Sequence, residues 1–265
     1  MELIQQHPEL VAIWVGLVGL CVGSYITMAS YRLPRELETV VTPSFCPSCN
    51  HKLGALDLFP VVSWIWHQGR CSHCSATVSV RYPIIEIITA AVFLWIYSVY
   101  GISVPGFLMA GVAIGVIILV ITDLEHYIIP DQIQLWLGLL GLVYLVQLNL
   151  PVMPALLGAL AGFTFGYILC VGYPMLRGIE GLGFGDVKFF AVAGLWLGWQ
   201  DLIPFFVMSG ALGVVLALAW RAMGRGKYFP FGPALGITLL LFLVYPELPL
   251  WFWDELHGAL RSNLL

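Results

Sequence analysis

The stretch "VPGFLMAGVAIGVIILVIT", Val104 to Thr122, holds no charged residue and runs straight into Asp123. A helix needs about 20 such residues, at ~1.5 Å of rise each, to cross the roughly 30 Å hydrocarbon core of a bilayer. The run is continuous rather than alternating, so it reads as a helix and not as a barrel strand. Similar runs recur outward in both directions. The chain has 265 residues, 60% of them hydrophobic and 10% charged; a soluble domain carries about 25% charged residues. The expected fold is therefore an all-α polytopic membrane protein. Eight spans are expected, at Leu10–Ser30, Ile84–Tyr100, Val104–Thr122, Ile133–Leu148, Pro154–Met175, Phe189–Leu197, Leu202–Trp220 and Ala234–Leu250. The second, fourth and especially the sixth are short. The first is too long for the apolar core of a signal peptide and follows Glu2 and Glu9 rather than a basic leader, so it reads as a retained span.

Lys and Arg divide unevenly between the two sides of such an arrangement. Arg32, Arg35, Lys52, Arg70, Arg81, Arg177, Lys188, Arg221, Arg225 and Lys227 fall in the loops after the odd-numbered spans, and only Arg261 falls on the other side. The positive-inside rule puts those loops in the cytoplasm and both termini outside. No basic cluster points to nucleic acid. One loop is long enough to form a small domain. The expected organisation is a first transmembrane helix over 1–30, a cytoplasmic domain over 31–83 and a seven-helix membrane core over 84–265.

The long loop contains Cys46, Cys49, Cys71 and Cys74, two CxxC pairs. Four thiolates on two tight turns suit tetrahedral zinc. A loop this short hardly builds a core of its own, so a metal would supply folding energy. Two disulfides are the alternative, disfavoured in a reducing compartment. A closed four-sulfur shell leaves no open position, so the expected metal role is structural. His51 and His73 read as solvated loop histidines, and Cys21 and Cys170 as small core residues.

Asp123 ends the third span and Asp186, in "GLGFGDVK" (Gly181–Lys188), precedes the sixth. The two spans run in opposite directions, yet both acids fall at the same membrane edge. The apolar run after Lys188 is too short to cross a bilayer, so either that helix stops short or its glycine-rich entrance dips into the membrane. Carboxylates at such depth are costly and tend to be functional. Two that share a site can split their protonation, one taking a proton from water while the other donates to a carbonyl oxygen. The plainer reading is a pair of helix ends. Capping would account for Asp186 but not for Asp123, which sits at a C-terminus where negative charge is disfavoured. Asp57, Glu125, Asp131 and Glu180 read as interfacial acids, and Glu86 as a partner of Arg81.

Several stretches occur in the order expected of type IV prepilin peptidases: "GSYITMASYRLP" (Gly23–Pro34), the paired CxxC with "DLFPVVSW" between, "SVRYPIIE" (Ser79–Glu86), "DLEHYIIPD" (Asp123–Asp131), "GLGFGDVK" and "FPFGPAL" (Phe229–Leu235). The chain resembles the bifunctional leader peptidases and N-methyltransferases of that family over nearly its whole length. The resemblance implies a GxGD-type aspartyl protease of the bacterial inner membrane, acting on prepilin or pseudopilin precursors at the cytoplasmic face of the lipid bilayer. It maps the catalytic aspartates to Asp123 and Asp186 and the zinc ligands to Cys46, Cys49, Cys71 and Cys74. It further implies methylation of the new N-terminus from S-adenosylmethionine. Thr27 stands where the family commonly has Asn, which bears on the methyl-transfer activity. Rival readings are a GxGD protease of another substrate class, a non-enzymatic scaffold presenting a zinc ribbon, and a proton-coupled transporter. The transporter would want carboxylates near the midplane and repeat symmetry.

Overall fold

The computed structural model describes residues 7–39, 42–177, 181–226 and 228–262; Glu180 and Lys227 lie outside them. The described residues are mostly helical where a span was expected. The helices are α1 (Pro8–Arg32), α2 (Val62–Trp66), α3 (Arg81–Tyr100), α4 (Val104–His126), α5 (Asp131–Gln147), α6 (Val152–Arg177), α7 (Phe184–Leu197), α8 (Leu202–Ala222), α9 (Gly232–Val244) and α10 (Glu247–Ser262). Among the described residues, β pairing is confined to two isolated bridges in the long loop.

The expected count of eight spans is not reproduced by length and composition. Among the described residues, five helices are long and apolar enough to cross, namely α1 with its short 3-10 extension, α3, α4, α6 and α8. A sixth arises only if α9 and α10 are one span bent by 97°. The expected eighth span, Ala234–Leu250, is therefore interrupted. Pro246 disfavours helical geometry at Tyr245, where the chain leaves the helix at φ −124° and ψ 80°. Helices α5 and α7 have 17 and 14 residues, which at ~1.5 Å per residue is about 26 and 21 Å.

The chain forms two compact units, Met1–Ile118 and Leu119–Leu265, that divide within α4. In the first, α1 and α3 run antiparallel with their backbones nearly touching. A β-carbon on Gly19 would stand 2.6 Å from Ala90 Cα, and one on Gly23 would stand 2.6 Å from Glu86 Cα. This is small-xxx-small packing, in which missing side chains let two helices gain dispersion contacts that lipid cannot supply. The loop between these helices is held by Arg32. Its Nη1 donates to the Glu38 and Thr42 carbonyls at 2.9 and 2.8 Å, and its Nη2 to the Pro43 carbonyl at 2.9 Å.

The second unit repeats the device. Gly158, Gly162 and Gly166 form a strip along α6 that packs on α7, with Gly158 against the Gly194 carbonyl and Gly162 against that of Phe190. Helix α5 joins the other side of α7, where Trp196 Nε1 donates to the Leu137 carbonyl at 2.9 Å. Phe190, Phe205, Phe206 and Phe242 fill the space between α7, α8 and α9 with edge and tilted contacts. The short helix α7 is thus the centre of this unit, packed against α5, α6, α8 and α9.

Candidate active site

Asp123 lies in the last turn of α4 and is 5% exposed. The segment "FPFGPAL" folds back so that the first residue of α9, Gly232, donates its N–H to Asp123 Oδ2 at 2.7 Å. The approach requires glycine. A β-carbon on Gly232 would stand 2.7 Å from Asp123 Oδ2 and 3.0 Å from its Cγ. The N-terminus of one helix therefore meets the carboxylate at the C-terminus of another. This offsets the unfavourable placement of an acid at a C-terminal end.

Asp186 sits inside α7 rather than ahead of it, because the helix begins at Phe184, five residues before the expected start. It occupies the first turn, partly buried, and its Oδ2 accepts the Gly183 N–H at 3.3 Å. The capping role foreseen for this acid is real. It is not the whole account, since Asp186 also faces the charge of Asp123. The glycines of the motif differ in purpose. A β-carbon on Gly185 would press within 3.3 Å of Ile129 Cβ, and the Gly185 carbonyl accepts Gln134 Nε2 at 3.2 Å. Lys188 Nζ binds both oxygens of Asp131 at 2.7 and 2.8 Å. The α4–α5 connection is thereby tied to the first turn of α7, and Asp186 lies within electrostatic reach of Asp123.

The four cysteines of the long loop also converge. Their Sγ atoms all lie within 4.8 Å of one another, with Cys46 and Cys74 at 3.9 Å, and none is in a disulfide. A zinc ion with ~2.3 Å bonds to a sulfur tetrahedron needs S–S edges of about 3.8 Å, so the donor set fits the metal. The two halves are built alike. Cys46 N–H donates to the His51 carbonyl at 2.9 Å and Asn50 N–H to the Cys46 carbonyl at 2.8 Å; Cys71 with Ala76, and Ser75 with Cys71, repeat this at 2.8 and 3.0 Å. Asn50 and Ser75 close the turns at φ 56° and 58°. Burial opposes ionisation of Cys46, but the Cys49 and Ser48 N–H groups and the facing thiols outweigh it and bring its thiol down to about 7. The His51 N–H favours the Cys49 thiolate, yet burial and the facing Cys74 and Cys46 sulfurs push that thiol up to about 11. Four like sulfurs held this close cannot all be charged without a cation. His51 and His73 stack face to face at 4.3 Å outside the sulfur cluster.

The N-terminal domain of bacterial A24 peptidases matches residues 17–100, and the type IV leader peptidase family matches residues 110–218. A prepilin leader peptidase/N-methyltransferase of Pectobacterium carotovorum subsp. carotovorum is 32% identical over 273 residues, covering 89% of this chain and 95% of that protein. The chain belongs to the type IV leader peptidase family. A protein of the same name from Aeromonas hydrophila is 32% identical over 279 residues, covering 93% of this chain and 95% of its own. One from Neisseria gonorrhoeae is 31% identical over 249 residues, covering 83% and 86%. No solved structure matches the chain significantly.

Within this family member, three residues of the site carried no assigned role in the sequence. Gly232 was visible only as part of "FPFGPAL", and nothing local tells that its amide reaches an acid 109 positions away. Gln134 and Ile129 look like ordinary helix and loop residues. Asp131, read as an interfacial acid, is the partner of Lys188.

Proposed function

We propose that this leader peptidase family member is a multi-pass aspartyl endopeptidase that removes the basic leader of type IV prepilins or pseudopilins and then N-methylates the mature chain. The single observation that supports the reading is a buried Asp123, held by the Gly232 N–H, whose charge acts on Asp186 in the first turn of α7. The precursor's apolar helix lies against the enzyme's spans, and its leader stays in the cytoplasm, on the side rich in Lys and Arg loops. The bond to be cut then falls at the depth of the two carboxylates.

Asp123 Oδ2 is engaged by Gly232, so Oδ1 is the oxygen placed to work on a water. Of the two acids, the charged one takes a proton from that water and the neutral one gives a proton to the carbonyl oxygen, yielding a tetrahedral intermediate. Its collapse returns a proton to the leaving amine and frees the new N-terminus. Cys46, Cys49, Cys71 and Cys74 hold a structural zinc ion that fixes the cytoplasmic loop and takes no part in hydrolysis. S-adenosylmethionine, when bound, supplies an electrophilic methyl group for the freed amine.

Incubation of the purified protein with a precursor pilin and S-adenosylmethionine, followed by mass measurement of the product, tests both activities. Loss of the leader and a further gain of one methyl group support the reading. An unchanged precursor mass overturns it.

A further inference from the structure

The loop that bears the four cysteines carries a surface that neither the metal nor the aspartates use. Its stretch "LFPVVSWIW", Leu58 to Trp66, holds no charged residue. The ends of the stretch are polar and meet. Asp57 Oδ1 and His67 Nε2 stand 3.6 Å apart, and the Gly54 N–H fixes Asp57 Oδ2 at 3.0 Å. Between them the segment has two faces. Leu58, Ser63 and Trp64 line a cavity of about 370 Å³ beneath the sulfur cluster, and Trp64 Nε1 donates to the Val78 carbonyl at 3.0 Å. Phe59, Val62, Ile65 and Trp66, with Leu56 just ahead, lie outside the cavity wall and are each more than half exposed. Large apolar side chains gathered on a surface mark a site of interaction with a protein or a membrane.

The depth of the segment decides between the two. Val61 donates its N–H to Glu86 Oε2 at 2.7 Å, and the Ser24 hydroxyl bonds to the same carboxylate. Glu86 lies five residues inside the start of α3 at Arg81, and packs on Gly23, nine residues before the end of α1 at Arg32. At ~1.5 Å per residue the contact is about 8 Å inward of Arg81 and about 14 Å inward of Arg32. Both helices are long and apolar enough to cross a bilayer, and arginines at span ends mark the water side. The segment is therefore held beside the spans and not above them, at the 5–10 Å depth typical of interfacial helices.

Its backbone is arranged for that setting. The N–H groups of Ser63, Ile65, His67 and Gly69 donate to the carbonyls of Phe59, Val61, Ser63 and Trp64 at 2.8 to 3.0 Å. These donors need no water, which is the condition for backbone at membrane depth. Val61 sits at φ 59° and ψ −50°, in a γ-turn closed by the Val62 N–H on the Pro60 carbonyl. The geometry is rare and strained, and it persists only where the surroundings impose it. Here it frees the Val61 N–H to reach α3.

We infer that Leu56, Phe59, Val62, Ile65 and Trp66 form a wedge inserted into the leaflet on the Arg32 side, and that its partner is the glycerol and upper acyl region of phospholipids. Trp66 suits that region, having an apolar ring and one N–H donor. It precedes Cys71 by five residues, so the wedge also holds the sulfur cluster close to the membrane surface.

The test uses the full-length protein in nanodiscs of phosphatidylethanolamine and phosphatidylglycerol, with p-benzoylphenylalanine in place of Trp66. Irradiation and mass measurement of the peptide should show a phospholipid adduct. A cross-link to a second copy of the chain, or an unmodified peptide, overturns the wedge. Nanodiscs whose acyl chains are brominated near the glycerol give a second readout. The fluorescence that distinguishes the unaltered protein from Trp66→Phe should be quenched there, and full emission overturns the insertion. A double variant, Ile65→Asp with Trp66→Asp, should be expelled from lipid and open the segment to limited proteolysis. Equal cleavage of the unaltered protein and the double variant overturns the assignment.

Discussion

At Gly232 a missing side chain is what the site requires. Gly232→Ala would drive a methyl group to 2.7 Å from Asp123 Oδ2, and helix α9 or the carboxylate would have to move. Leader cleavage by Gly232→Ala should fall at least tenfold, roughly the effect of disturbing one charge-assisted hydrogen bond, while membrane insertion and expression persist. Asp123→Asn and Asp186→Asn should each lower cleavage by about 10²–10⁴-fold, the range associated with loss of a general acid or base. An assay on a precursor pilin in detergent measures all three. Wild-type turnover by either Asn variant would remove the dyad from the mechanism. Asp123 and Asp186 could be singled out beforehand because charged residues are rare in such a chain. Gly232 could not, since a glycine announces a close approach but not to what.

At the scale of elements, α7 shows why a helix too short to span can still be central. Its two flanks are covered by α5 and α6, so its length is set by packing partners and not by the bilayer. The glycine strip of α6 is what allows the approach. Gly162→Val would place a branched side chain against the Phe190 carbonyl. Overpacking of this kind costs about 1–3 kcal/mol, to be seen as a lower unfolding temperature in detergent. Because α7 carries Asp186 in its first turn, cleavage should fall in parallel. The strip itself is legible as a repeated four-residue spacing, but the identity of its partner is not. The same holds for α9 and α10, where Pro246 was visible in the sequence while the 97° change of direction was not.

For the whole molecule, the tetracysteine loop and the two membrane units can be probed separately. Removing metal with a strong chelator under reducing conditions should expose the segment between Cys46 and Cys74 to limited proteolysis while the helices remain protected. One metal ion per chain, lost on chelation and restored on readdition, is the expected stoichiometry by elemental analysis. Uptake should strengthen as pH rises between about 6 and 8, since thiols must lose protons to bind a metal. A loop equally resistant with and without metal would show that the sulfur cluster is not what folds it.

Composition and local spacing determined the helical membrane class, the approximate positions of most helices, the two cysteine turns and the two acids, but not the number of spans. Those properties depend on residue type and on neighbours within a few positions. Only the tertiary structure decided that Gly232 reaches Asp123, that Asp186 lies within α7, that Val61 is held against Glu86 and that a cavity opens beneath the sulfur cluster. Each joins groups tens of residues apart, and the join is set by which helix backbones can approach closely. That follows from the complementary shapes of whole helix surfaces, which no single stretch of the chain encodes.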